Sequence, residues 1–171
     1  MKRIIVGLLA LVVIILGALI AWGYEPDRDP AELRARYTNA ASRFVTLENG
    51  LSVHVRDEGN RAGPVLVLLH GSNASLHTWE PWVARLGATY RIVSLDQIGH
   101  GLTGPNPEGR YDTAAFVDTL DRLATRMELG RFALGGNSMG GGIALNYALA
   151  HPDRVSALIL VDASGAPDAT P

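Results

Sequence analysis

Residues 132–150 read Phe-Ala-Leu-Gly-Gly-Asn-Ser-Met-Gly-Gly-Gly-Ile-Ala-Leu-Asn-Tyr-Ala-Leu-Ala, and the fold turns on this stretch. Phe132–Leu134 is a short apolar run suited to a buried strand. Met139–Ala150 is a helical run, stopped by His151-Pro152 because proline lacks the amide a helix needs. Between them, Gly136-Asn137-Ser138-Met139-Gly140 sets a serine on the bend, with a glycine two residues before and two after. A side chain at the tip of so sharp a turn is held in a strained backbone conformation, and small residues at those offsets avoid clashes. The helix terminus beneath the serine also favours developing negative charge. A G-x-S-x-G match alone is a weak signal. The strand before it and the helix after it make it a nucleophile elbow. The competing reading, a glycine-rich loop that cradles a phosphate, needs G-x-G-x-x-G or a Gly-Lys-Ser/Thr ending, and neither is present.

Working outward, Val65–Leu69 is a continuous apolar run, as expected for a central parallel strand covered on both faces. Arg91–Leu95 and Val155–Val161 read the same way, with helices around Thr78–Leu86 and Thr113–Glu128. On the latter, Phe116, Val117, Leu120, Leu123, Ala124 and Met127 form one apolar stripe. Upstream, Phe44–Leu47 and Leu51–Arg56 flank Glu48-Asn49-Gly50, a hairpin signal. Strands alternating with helices imply parallel strands and right-handed crossovers. The expected fold class is α/β: a mostly parallel sheet with an N-terminal antiparallel hairpin and helices on both faces.

The N-terminus is of another kind. Met1-Lys2-Arg3 precedes an uncharged run from Ile4 to Gly23, and Glu25, Asp27 and Asp29 follow it. As a helix, these residues reach about 30 Å, the thickness of a bilayer's hydrocarbon core. Trp22 and Tyr24 fall where an interfacial aromatic belt belongs, and the basic flank is expected to stay cytoplasmic. A cleaved signal would have a shorter apolar core and small residues at −3 and −1; Leu19 fits −3 poorly if Ala21 is −1. A buried core helix would show a polar face. The expectation is an uncleaved membrane anchor through residues 4–23, with the rest extracytoplasmic. Residues 1–23 are then tip and anchor, and 24–43 a polar connector with a short helix opening at Asp29-Pro30-Ala31-Glu32. Residues 44–171 form the folded domain.

Composition excludes several classes. With 15 Lys+Arg against 17 Asp+Glu and no basic cluster, nothing points to nucleic acid. The absence of cysteine removes disulfides, thiolate metal sites and a cysteine nucleophile. No metal or organic cofactor is expected.

Two further loops lie at the edge of the sheet that the serine occupies, where open α/β sheets bind ligands. His70-Gly71-Ser72-Asn73 follows the first central strand. Its glycine lets backbone amides turn inward, so the N–H groups of Ser72 and Met139 are candidate donors to an oxyanion. Asp96-Gln97-Ile98-Gly99-His100-Gly101 follows the next strand, and Asp96 reads best as a turn residue capping local N–H groups.

Taken together, LLHGSNAS, SLDQIGHG, GGNSMGGG and YALAHPDRVSALILVDA resemble the α/β-hydrolase superfamily over roughly residues 44–165. The resemblance implies an eight-stranded sheet, a cap after the sixth strand, and a serine–acid–histidine triad in that chain order. On this pattern Ser138 matches the nucleophile, Gly136 and Gly140 the elbow glycines, and Ser72 and Met139 the oxyanion donors. His100 matches a position that is usually structural. The histidine base follows the last strand, beyond residue 171, so the architecture is expected to stop after its sixth strand and this chain alone to show little or no activity. The acid normally follows the seventh strand; some relatives place it after the sixth, where Asp162 stands. The implied activity is cofactor-free hydrolysis of an ester-like, small-molecule acyl substrate. The Gly136–Gly141 segment is also similar to that of the meta-cleavage-product hydrolases, although His70-Gly71-Ser72-Asn73 departs from their HGxGPG loop. A non-catalytic member that binds a ligand or partner is the third reading. Of the five histidines present, His54, His70, His77, His100 and His151, none is expected to be the base.

Overall fold

The structure is a computed structural model and describes residues 2–165. The chain divides into two compact units, residues 1–36 and 37–171. The first carries α1 (Lys2–Gly23), a 22-residue apolar helix with no buried residue and long enough to cross a membrane. Its exposure rules against a core helix. The second helix, α2 (Pro30–Tyr37), starts where the sequence predicts it, with Asp29 Oδ1 accepting the Ala31 N–H at 2.8 Å. Glu32, in its first turn, lies 3.7 Å from Arg28 in an ion pair.

In the second unit the strands are β1 (Ser42–Thr46), β2 (Ser52–Gly59), β3 (Val65–Leu69), β4 (Arg91–Leu95), β5 (Phe132–Asn137) and β6 (Val155–Val161). They form one sheet in the order β1-β2-β4-β3-β5-β6. β1, β2 and β4 pair antiparallel; β4, β3, β5 and β6 are parallel. The hairpin closes through a three-residue turn: Leu47 N–H donates to Leu51 O, and Gly50 takes a φ of +84°. That positive φ is why glycine ends the Glu48-Asn49-Gly50 run.

The helices of this unit are α3 (Glu80–Leu86), entered by a 3₁₀ turn at Leu76–Trp79, then α4 (Thr113–Arg126) and α5 (Met139–Ala150). Asp112 caps α4 by accepting the Ala115 N–H at 2.9 Å. Since successive strand residues face opposite ways, Val67, Leu69, Val93, Leu95 and Leu134 bury one face against Leu120 and Leu123 of α4 and Ile143 and Tyr147 of α5. Leu66, Leu68 and Ile92 bury the other against Trp79 and, on α3, Trp82, Val83 and Leu86. Helices thus cover both faces, as the uninterrupted apolar strands require. β6 pairs with β5 alone among the described strands, and Leu160 on it is exposed.

Candidate active site

The parallel strands aim their carboxyl ends at one edge of the sheet, and the predicted site residues from three of its loops gather there. Ser138 sits between β5 and α5 with φ +50° and ψ −117°, a combination a non-glycine residue adopts only when its surroundings impose it. Those surroundings are visible. Ser138 N–H donates to Val161 O at 3.0 Å, while its carbonyl accepts the N–H groups of Gly142 at 3.1 Å and Ser164 at 3.0 Å. Ser164 Oγ donates to the same carbonyl at 3.2 Å. The backbone is thereby tied to the end of β6 and the segment after it. The Ser138 hydroxyl makes no hydrogen bond among the described residues.

The elbow glycines are needed by contact. A Cβ on Gly136 would overlap the Gly140 carbonyl, and one on Gly140 would overlap the carbonyl oxygens of Leu69 and His70 at the end of β3. Gly141 and Gly142 are needed by contact as well. They admit the segment after β6, since a Cβ on either would meet Ala163 or Ser164 at 2.5–2.6 Å.

The loop after β3 comes to the serine through Gly71. A Cβ there would stand 3.3 Å from Ser138 Cβ and 3.0 Å from Asn137 Oδ1. Ser72 and Met139 each adjoin one side of this contact in the chain, so their amides lie within one residue of it. Ser72 is exposed, and Asn73 after it turns with φ +53°. Asp162, directly after β6, is exposed with φ +46°. The structure brings Ser138, Met139, Gly71-Ser72 and the β6 terminus together. A cleft of about 230 Å³ opens beside them, lined by Tyr111, Phe116, Met139, Ile143 and Ser164 among others.

The histidines do not join this cluster by any hydrogen bond to Ser138; each is engaged elsewhere. His70 is fully buried, with Nδ1 2.7 Å from Gly71 O and Nε2 accepting the Gln97 N–H at 3.0 Å. This arrangement places the proton on Nδ1 of a neutral ring, and burial holds its pKa below the usual histidine value. His100 packs on His70 and bonds Ile98 O; His77 meets Glu80; His151 stacks on Tyr147 near Asp121.

His54 is the surprise of the structure. It is fully buried on β2, with Nδ1 2.8 Å from Asp96 Oδ2 and Nε2 3.1 Å from Ser42 Oγ. Asp96 also accepts the N–H groups of Leu76 and Leu102, each at 2.8 Å. Burial alone would raise this carboxyl, but the bonds from His54, Leu102 and Leu76 outweigh it and hold its pKa below the ordinary value. Asp96 therefore caps N–H groups as expected, and in addition joins two loops and β2. Sequence reasoning did not find the His54 partnership, because 42 residues separate the two and neither stands in a local pattern. It also missed Asn137, whose Nδ2 donates to Val161 O at 3.2 Å and whose Oδ1 faces Gly71.

A serine strained onto a strand-to-helix bend of a mixed α/β sheet, facing a glycine loop, defines a class of protein. The pattern of the alpha/beta hydrolase fold family matches residues 64–171, and the chain belongs to that family. It is 35% identical over 117 residues to a putative 2-succinyl-6-hydroxy-2,4-cyclohexadiene-1-carboxylate synthase of Bacillus subtilis, covering 68% of this chain and 42% of the relative. It is 32% identical over 119 residues to the 2-hydroxymuconate semialdehyde hydrolase of a Pseudomonas strain, covering 68% and 41%. Among solved structures it resembles a bacterial membrane phospholipase A, with a TM-score of 0.73 and 29% identity over 100% of this chain and 55% of that one. The chain spans less than half the length of these curated relatives.

Proposed function

We propose that this chain carries the nucleophile half of a serine hydrolase acting on an ester-like acyl substrate. The observation that carries the reading is Ser138 itself, with positive φ, a backbone tied on both sides, and a hydroxyl beside Gly71 that has no hydrogen bond among the described residues. In this reading Ser138 Oγ attacks the acyl carbonyl. The N–H groups of Ser72 and Met139 receive the oxyanion, and the acyl group rests in the cleft near Phe116 and Ile143. Asp162 is a candidate acid, placed beside the elbow by β6. A serine hydroxyl needs a base, and with all five histidines engaged elsewhere the base comes from polypeptide other than residues 2–165. The exposed apolar helix α1 anchors the protein to a membrane, with its basic N-terminus cytoplasmic and the folded unit outside.

A fluorophosphonate probe tests this. The longest polypeptide encoded by the reading frame should label at Ser138, Ser138→Ala should abolish the label, and residues 1–171 alone should label far more slowly. A folded long form that stays unlabelled would leave ligand binding without catalysis ahead. Carbon–carbon bond hydrolysis is the second reading, favoured by the 2-hydroxymuconate semialdehyde hydrolase relative. Turnover of a meta-cleavage product but not of short-chain aryl esters would select it.

A further inference from the structure

At the opposite edge of the sheet from Ser138, where β4 begins and α4 ends, lies a second and larger cleft of about 410 Å³. Its charged lining is Arg43 of β1, Asp57 of β2, Arg91 of β4 and Arg126 of α4, and Phe44, Val45 and Met127 supply apolar wall. Asp57 is buried and fully occupied. Its carboxylate takes Arg91 Nε at 3.0 Å and Arg91 Nη2 at 2.9 Å, and it takes Arg61 Nη1 at 2.5 Å. Burial alone would raise this acid, but the neighbouring Arg91, Arg61 and Arg43 together hold it ionised.

Arg91, Arg61 and Arg43 therefore act on one carboxylate, and Arg126 lines the same cleft, in a chain whose formal net charge is −2. Arg43 and Arg126 are exposed and have no ion pair or hydrogen bond among the described residues. Arg91 is only partly exposed, and its bidentate bond to Asp57 fixes the guanidinium plane while leaving Nη1 without a partner among the described residues. A pinned donor costs little entropy when it binds, and a planar guanidinium suits tetrahedral oxyanions better than an ammonium does. The excess of positive charge asks for a ligand of more than one negative charge, and the apolar wall leaves room for an organic substituent.

We infer that this cleft binds a phosphate-class anion, with Arg91 held by Asp57 at its floor and Arg43 and Arg126 closing on it from the rim. The phosphoryl group belongs either to a soluble phosphate ester or to an anionic lipid headgroup. The site is separate from Ser138 and stands whether or not that serine is catalytic.

The test uses the full chain, in detergent micelles and in lipid nanodiscs, and reads modification of individual arginines by phenylglyoxal with peptide mass spectrometry. In micelles, inorganic phosphate and sn-glycerol 3-phosphate should each slow modification of Arg43 and Arg126, saturating with a Kd on the order of 1 mM or tighter. Arg85, exposed on α3, should be unaffected. By calorimetry, the double variant R43Q/R126Q should bind the same anions about tenfold or more weakly; both residues are at the surface, so the fold should survive. Protection by the soluble esters assigns a free ligand. Protection only in nanodiscs containing phosphatidylglycerol, and not in phosphatidylcholine alone, assigns a headgroup. Either result supports the site. Unchanged reactivity of Arg43 and Arg126 in every arm, or phosphate binding equally tight in R43Q/R126Q, overturns it.

Discussion

Two loops at the carboxyl edge of the parallel strands are built on opposite principles. The elbow between β5 and α5 is held by what its residues lack. Gly136, Gly140, Gly141 and Gly142 have no side chain where neighbouring backbone passes, and the bonds that tie the turn are mainly main-chain ones. The rim after β4 is held by buried polar side chains. Asp96 joins His54, Leu76 and Leu102, Thr103 Oγ1 bridges His54 N and Asp96 O, and Gln97 grips His70 by both its backbone and its amide. The elbow holds the Ser138 side chain in one orientation, and close packing around glycine achieves this without a side-chain hydrogen bond to the hydroxyl among the described residues. The rim has no such side chain to present. It links three segments, and a carboxylate with four acceptor sites suits that task.

The largest effect should come from breaking the rim. Asp96→Ala would leave His54 Nδ1 and the N–H groups of Leu76 and Leu102 without a partner, a loss of about 3–5 kcal/mol by analogy with broken buried pairs. Chemical denaturation of the full chain in detergent measures it. A loss under 1 kcal/mol would mean water replaces the carboxylate and the rim is not held as described.

Next comes Gly140→Ala at the elbow, where the added methyl meets the carbonyls of Leu69 and His70. Overpacking against backbone costs about 1–3 kcal/mol and sometimes more. Because β3 carries the Gly71 loop, the same variant should cut fluorophosphonate labelling of Ser138 by more than its stability loss explains. If stability and labelling were both unchanged, the idea that absent side chains hold the elbow would go.

These two constructions differ in how far the sequence shows them. The elbow was legible because its requirements are local: glycines at set offsets from a serine, a strand before and a helix after. The four parallel strands were legible for a similar reason, and Arg91–Leu95, Met139–Ala150 and Val155–Val161 have the bounds their apolar patterns predict. The helix after His70-Gly71-Ser72-Asn73 was less so. It divides into a 3₁₀ turn at Leu76–Trp79 and α3 from Glu80, since Pro81 is accommodated only at a helix start. The polar clamp was not legible at all. His54 lies in an alternating strand where an inward histidine looks like any half-buried polar residue, and its partnership with Asp96 exists only once β2 pairs with β4.

A smaller effect separates the rim's buried His70 from its carboxylate by pH. His70 has its pKa lowered on folding, so between that value and about 6.5 the unfolded chain binds more protons than the folded one. Its contribution is complete above about pH 6.5 and is lost as pH falls toward the folded value, at no more than about 1.4 kcal/mol per pH unit. Asp96 and Asp57, also lowered, lose theirs only below about pH 4, whereas the loss from His70 begins near pH 6.5. His70→Asn should flatten the profile between pH 7 and 5. An equally steep profile in that variant would move the proton uptake to another group.

The finest test lies within the rim itself, because one of its glycines follows the elbow's rule and another does not. Gly101 has φ +51°, and a Cβ on it would run into the Asp96 carboxylate. Gly104, three residues on, has nothing within 4 Å of that position and no positive φ. Gly104→Ala should therefore be neutral or stabilise slightly, by up to about 1 kcal/mol, by restricting the unfolded chain. Gly101→Ala should destabilise through both strain and displacement of Asp96, and so mimic part of the Asp96→Ala loss. Equal thermal midpoints for the two variants would show that the carboxylate can shift without loosening Leu76 and Leu102. The clamp would then be a tolerant contact, while the elbow alone would demand close fit.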